Sequence, residues 1–232
     1  MSSILIVESE NDKYFIEALI QNMNIDNVEI SDGFICNIDD FECMDGLNTT
    51  KLTLALKAIS NKIKKEDINN VGIIIDVDDK TKQERLELVN TSINEAFGIA
   101  NVLEEINTVK NININENQNI NIAAYFTNVN NTGELETVLK EIKSSNSTYA
   151  DCLQSWQDCL IAKNVNNGAG LKLKDFNKFW IQVYIRYDTC PRRDKNQAGT
   201  KCNNKASMSK QIWNFNHICL KDLKKFLSLF KT

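Results

Sequence analysis

The sequence contains one proline, Pro191, one histidine, His217, and no long hydrophobic run. Stretches such as Val71-Gly72-Ile73-Ile74-Ile75 fall far short of the ~20 apolar residues that cross a bilayer, so no membrane partner is expected. The N-terminus has neither the basic flank nor the cleavage site of a signal peptide, and a cytoplasmic protein is expected. A lone histidine argues against a histidine-based nucleophilic triad. Seven cysteines, an odd number with no CxxC spacing, fit reduced thiols better than a disulfide framework. Without a P-loop, GxGxxG or GxSxG, the nucleotide-hydrolysing, dinucleotide and serine-hydrolase readings have no support.

What is present is a chain of 232 residues, 42% hydrophobic and 25% charged, which suits one large or two small globular domains. Asparagine fills about one position in seven, a bias with no functional reading of its own. The net charge of −4 conceals a division. Residues 1–159 carry 12 Lys and Arg against 27 Asp and Glu, a balance of −15, and residues 160–232 carry 15 against 4, a balance of +11. Two physical readings follow: the basic part grips phosphates while carboxylates in the acidic part hold a metal, or the two parts attract each other.

The apolar pattern gives alternating strands and helices. Residues 3–7 form a short β-branched run ending at Glu8, followed by apolar residues at helical spacing through Met23. A second strand at Val28-Glu29-Ile30 ends in Ser31-Asp32-Gly33, and residues 51–63 form a helix. Residues 71–75 have the continuous apolar character of a strand buried on both faces, ending at Asp76-Val77-Asp78-Asp79, and a helix follows over 80–97 with Gly98 as its C-cap. Residues 101–121 alternate as a hairpin or sheet-edge insertion with its tip at 115–119. A further strand spans 120–126, and a helix 134–143. Such succession implies an α/β fold with a mostly parallel, right-handed sheet. After a linker at 144–147, helices are expected over 149–162, 174–187 and 220–230, with a polar basic loop at 190–210. Trp156, Phe176, Phe179 and Trp180 fall at core spacing, and Cys152 and Cys159 read as packing residues.

Glu8, Asp76 and Asp78 fall at carboxyl ends of strands, where parallel α/β sheets place their ligand crevice. Asp76 and Asp78, two apart, would leave an extended strand on the same side. Clustered carboxylates repel unless a cation neutralises them, and Mg²⁺ or Mn²⁺ suits an all-oxygen set. The alternative is that residues 76–79 merely cap the following helix.

These residues carry a resemblance. Ile4-Leu5-Ile6-Val7-Glu8-Ser9-Glu10-Asn11-Asp12 resembles the glutamate motif of the Toprim domain, shared by topoisomerases, primases, recombination mediators and certain nucleases. Ile73-Ile74-Ile75-Asp76-Val77-Asp78 resembles its DxD motif, and Thr132-Gly133-Glu134-Leu135-Glu136 the G-x-L-E segment of small stand-alone relatives. The resemblance covers residues 1–145 and implies a Toprim-like, Rossmann-like sheet with a helical basic extension over 146–232. It implies Glu8 as general acid/base or metal ligand, Asp76 and Asp78 as holders of Mg²⁺ or Mn²⁺, and Asp12, Asp79, Glu134 and Glu136 as candidates for a second ion. A nuclease activity follows by resemblance, with a partner ATPase and a place in phage defence. A non-catalytic binding module is the alternative. One departure stands out: Ser9 occupies the position where the family has glycine. No zinc ribbon or topoisomerase toroid is present, and the 68-residue interval from Glu8 to Asp76 is long for a receiver domain.

The basic segment supplies Arg186, Arg192, Arg193, Lys195, Lys201, Lys205 and Lys210, interleaved with Tyr184, Tyr187 and Trp213, as candidates for phosphate contact and base stacking. The bland reading is a solvated loop. Cys190, Cys202, His217 and Cys219 form a set whose spacing matches no standard zinc site. Homo-oligomerisation is left open.

Overall fold

The structure, a computed structural model, describes residues 2–31, 47–115 and 118–231. The expected turn at Asp32-Gly33 and two tip residues of the hairpin, Glu116 and Asn117, lie outside them. Five strands form one sheet in the order β2-β1-β3-β5-β4. These are β1 (Ser2–Ile6), β2 (Val28–Ile30), β3 (Ile68–Asp76), β4 (Lys110–Asn115) and β5 (Gln118–Thr127). β2, β1, β3 and β5 run parallel, and β4 pairs antiparallel to β5 as an edge hairpin, so the α/β expectation holds.

Each early helix begins and ends where local chemistry dictates. α1 (Glu10–Met23) starts at Ser9, whose hydroxyl accepts from the Asp12 N–H, and stops at Asn24 in the left-handed conformation. α2 (Thr49–Ile63) is capped by Asn48. α3 (Lys82–Phe97) opens with a reciprocal Thr81–Glu84 capping box and closes on left-handed Gly98. Thr81 is therefore the cap, and the reading of residues 76–79 as the capping segment is corrected. Some of the asparagines have a structural use as well. Nine of the ten non-glycine residues with positive φ among the described residues are asparagines, the side chain that tolerates the left-handed region with least strain after glycine.

The sheet separates two cores. One face packs Ile4, Ile6, Ile73, Ile75 and Phe126 against Leu52, Leu56 and Ile59 of α2 and Val89 and Ile93 of α3. The other packs Leu5, Val7, Ile74, Ala123 and Tyr125 against α1 and the chain that follows β5. That part supplies α4 (Leu135–Glu141), α5 (Thr148–Asp151), α6 (Leu153–Ala162), α7 (Leu173–Val183), α8 (Ala198–Lys201), α9 (Asn204–Met208) and α10 (Lys221–Ser228). α7 continues as a π-helical turn over Tyr184–Asp188. The segment expected to be a linker is tied down, with the Ser144 N–H donating to Ile212 O at 3.0 Å and the Ser145 N–H to the Tyr184 hydroxyl at 3.1 Å. Gly72 explains how α10 approaches so closely. A Cβ there would meet Leu5 Cδ2 at 2.4 Å and Phe230 Cζ at 2.7 Å, so only glycine admits the aromatic ring onto the central strand.

Several expectations are corrected here. Phe176 and Trp180 are core, but Trp156 is 40% and Phe179 51% exposed, meeting edge-to-face at 5.7 Å. Their helices pack on one side only, so helical spacing overstated the burial. Cys152 and Cys159 are exposed rather than packed. The basic loop contains helical turns over Arg192–Gln197, α8 and α9. Cys190 and Cys202 form a disulfide across that loop, with Cα atoms 5.7 Å apart, which corrects the expectation of reduced thiols throughout. It also removes two ligands from the zinc set. His217 instead accepts the Cys219 N–H at 3.3 Å as a local cap.

Candidate functional site

Glu8 lies two residues beyond the end of β1, and Asp76 closes β3, the adjacent parallel strand. The Glu8 carboxylate accepts the Asp76 backbone N–H at 3.0 Å, a bond that draws the two strand ends into one place. Asp12, in the first turn of α1, accepts the hydroxyl of Ser9. Ser9 is thus both helix cap and partner to a buried carboxylate. Glu136, in the first turn of α4, is the fourth acid brought to this end of the sheet.

These acids are removed from water. Glu8, Asp12 and Asp76 retain 8%, 5% and 6% of their accessible surface. Burial raises the pKa of all four, because desolvation disfavours the charged form. Asp12 is pushed up to about 7, by burial first and then by Glu8. Asp76 is held well above the usual carboxylate range by burial and by Asp12, Glu8, Glu136 and Asp78. Glu8 is raised by burial, against the opposing Asp76 N–H and the charges of Lys174 and Arg85, and Glu136 is raised mainly by burial. Asp76 Oδ1 is buried without a hydrogen-bond partner among the described residues. An unpaired carboxylate oxygen in a dry site is costly, and proton uptake or a cation are the two ways to meet the cost.

Asp78 behaves differently. The strand stops at Asp76, and Asp78 turns left-handed with φ 54°, so the expected alternation of two carboxylates along one extended strand does not continue. Asp78 and Gly133 exchange backbone hydrogen bonds of 2.9 and 3.2 Å, fastening the loop after β3 to the loop after β5. Gly133 has φ 96°, and a Cβ there would meet Thr137 Oγ1 at 2.8 Å, so the turn demands glycine twice over. The Asp78 carboxylate is bound by Arg85 Nη2 and Lys174 Nζ, each at 2.7 Å. Glu134 is buried and accepts from Thr137 Oγ1 at 3.0 Å and Asn177 Nδ2 at 3.2 Å. Asp79 stands apart, exposed and paired with Lys80 at 3.5 Å.

The expected carboxylates therefore divide: Glu8, Asp12, Asp76 and Glu136 gather, Asp78 adjoins them already neutralised, Glu134 is held by α7, and Asp79 faces solvent. Among the described residues, no group of three or more His, Cys, Asp or Glu side chains forms a ready-made metal cage. The pattern reading missed Arg85, Lys174 and Asn177. Arg85 follows Asp78 by seven residues across a turn, and the other two come from a helix nearly a hundred residues downstream, so only the apolar stripe of α7 hinted at what its polar side would meet.

Arg186, Arg192, Arg193, Lys195, Lys201 and Lys205 are all exposed. Arg193 reaches its neighbour Asp194, at 3.9 Å, and Lys205 lies over the Tyr14 ring at 5.3 Å. Lys210 turns inward, its Nζ donating to Lys201 O at 2.6 Å. Lys174–Asp78 is the ion pair that joins the acidic and basic parts among the described residues. Of the aromatics offered for stacking, Tyr184 and Trp213 are buried against each other at 5.2 Å, which corrects that role, and Tyr187 is exposed.

Residues 2–231 match the family model described as a protein of unknown function, DUF3226, and the chain belongs to that family. Comparison with curated proteins and with solved structures gave no match.

Proposed function

We propose that this member of the family is a divalent-cation-dependent enzyme that cleaves phosphodiester bonds in DNA or RNA, built on a Toprim-like sheet, with Glu8 and Asp76 at its centre. The observation that carries the reading is the unpartnered, buried Asp76 Oδ1 beside Glu8 and Asp12. Mg²⁺ is commonly held by one or two carboxylates, retained waters and the substrate's own phosphate, so a three-ligand protein cage is not required. Glu8 and Asp76 would hold Mg²⁺ or Mn²⁺, with Asp12 and Glu136 nearby. Bound there, the ion supplies charge stabilisation at a phosphoryl oxygen and a more acidic water.

The chain's own residues have separate tasks. As the alternative to holding the ion, Glu8, whose proton is retained to higher pH by burial, would pass that proton to a leaving oxygen, since a carboxylate bound to the ion carries none. Arg85 and Lys174 neutralise Asp78 and so lessen the negative field that an incoming phosphate meets. Exposed Arg186, Arg192, Arg193, Lys195, Lys201 and Lys205 offer cationic ends for a phosphate backbone, Arg193 beside Asp194 and Lys205 over the Tyr14 ring. The Toprim resemblance extends the proposal to a partner ATPase and to defence against phage. A second reading, a non-catalytic binding module, draws on Asp78, which two cations already occupy.

The test is incubation of the protein with plasmid and total RNA in Mg²⁺ or Mn²⁺, alone and with an ATPase encoded beside it, in parallel with Glu8→Gln. Cation-dependent cleavage lost in Glu8→Gln supports the enzyme. Equal behaviour of the two proteins in every arm supports the binding module.

A further inference from the structure

A hollow of about 180 Å³ opens between α1, α4, α7 and α9, beside the carboxylates. Glu136 lines it, and Asn11, also on its wall, immediately precedes Asp12. Its apolar surface comes from Leu135, Leu139, Ile181 and Met208, and the exposed Lys178 stands at its edge. Three amides that line it are linked in a directed chain: Gln182 Nε2 donates to Asn204 Oδ1 at 3.0 Å, and Asn204 Nδ2 donates to Asn11 Oδ1 at 2.8 Å. The chain ends in an acceptor, Gln182 Oε1, and a donor, Asn11 Nδ2, neither with a partner among the described residues.

We propose that this hollow is a nucleobase subsite, which receives a base splayed from a single strand while the adjoining phosphate lies toward the carboxylates. The placement of the phosphate rests on the phosphodiesterase reading above; the base pocket itself does not. The chemistry is selective for this ligand class. A base is a flat apolar plate with donors and acceptors confined to its edge, and a hollow lined by both aliphatic side chains and amides offers partners for each. The acceptor Gln182 Oε1 and the donor Asn11 Nδ2, at the two ends of the amide chain, are of the kinds that pair with groups on a base edge. The Met208 thioether is a favourable neighbour for a π face, and Lys178 supplies a cation for the backbone. A duplex cannot present a base in this way, so the pocket commits the protein to single-stranded or locally opened substrate.

The experiment titrates the four nucleoside 5′-monophosphates and inorganic phosphate into the full chain in EDTA, followed by calorimetry or by NMR. Working without metal separates this proposal from the catalytic one. At least one monophosphate is expected to bind ten or more times tighter than inorganic phosphate. Met208→Trp, which fills the hollow, removes that binding, and Gln182→Ala weakens it about fivefold, the worth of one net hydrogen bond. Gln182 is exposed, so its variant decides the matter should Met208→Trp fail to fold. Monophosphates that bind no tighter than inorganic phosphate, or a Gln182→Ala protein that titrates like the wild type, overturn the proposal. Base binding that persists in a protein without cation-dependent cleavage upholds the subsite and refutes only the phosphodiesterase reading.

Discussion

The two faces of the sheet are built from different material. The face under α2 and α3 is almost wholly aliphatic and is assembled from residues 4–126. The face under α1 and α10 is aromatic, with Phe15, Tyr125, Phe176, Trp180, Tyr184, Trp213, Phe226 and Phe230, and most of these arrive from the far end of the chain. The gathered carboxylates belong to this second face: Asp76 shares the side of Ile74, and Asp12, Glu136, Lys174 and Asn177 come from helices packed there. A sheet covered by near neighbours yields a dry layer. A sheet covered by a distant segment acquires, along with the aromatic rings, the polar groups that segment carries, and here those groups meet strand ends rich in acid.

Substitutions can break this contrast. Phe226→Ala should cost about 3–5 kcal/mol in chemical denaturation, since it removes a fully buried ring that packs on Tyr125 and Phe230. Gly72→Ala should cost about 1–3 kcal/mol by overpacking the same contact. Ile73→Val, one residue along on the aliphatic face, should cost only about 0.5–1.5 kcal/mol. Equal losses at Gly72 and Ile73 would refute the claim that α10 is seated through the missing side chain.

The acid cluster should imprint itself on pH dependence. Asp12, Glu8, Asp76 and Glu136 bind protons more tightly folded than unfolded. Their stabilising effect is complete below the unfolded carboxylate range and is lost as pH rises through the folded values, which for Asp12 means from about pH 4 to about 7. In EDTA, the melting temperature should fall by several degrees between pH 5 and pH 8. Asp12→Asn should flatten that decline, and a profile unchanged by this substitution would show that Asp12 does not contribute to it.

The smallest effect belongs to the exposed basic segment. Neutralising Arg192, Arg193 and Lys195 together should change stability by no more than about 0.5 kcal/mol, since among the described residues none of them pairs with the acidic part of the chain. Binding to nucleic acid should weaken, its salt dependence losing nearly one unit of slope per lost phosphate contact. A drop of several degrees in melting temperature with unchanged affinity would mean that the segment serves packing.

Much of this molecule was legible in periodicity. The strand that leads to Glu8 and the one that closes at Asp76, the helix behind each, the edge hairpin and the Gly98 cap all follow from local patterns that packing did not override. Less legible was anything decided by distance along the chain. Lys174 and Arg85 closing on Asp78, Asn177 reaching Glu134 and the disulfide joining Cys190 to Cys202 are tertiary pairings with no local signature. Trp156 and Phe179 illustrate the converse: helical spacing marks an apolar stripe without saying whether anything covers it. Asp78 was misjudged for a third reason, since one left-handed residue ends the two-residue alternation on which its direction was argued.

The central claim, that Asp76 and its neighbours await a divalent cation and not a structural partner, is tested most directly by thermal denaturation at pH 8 of the wild type and Asp76→Asn, each in EDTA and in Mg²⁺. The account predicts that Asp76→Asn is the more stable protein in EDTA, because an amide relieves repulsion among buried carboxylates. It predicts that Mg²⁺ raises the melting temperature of the wild type alone. An Asp76→Asn protein that is less stable than the wild type in EDTA, with Mg²⁺ without effect on either, would contradict it.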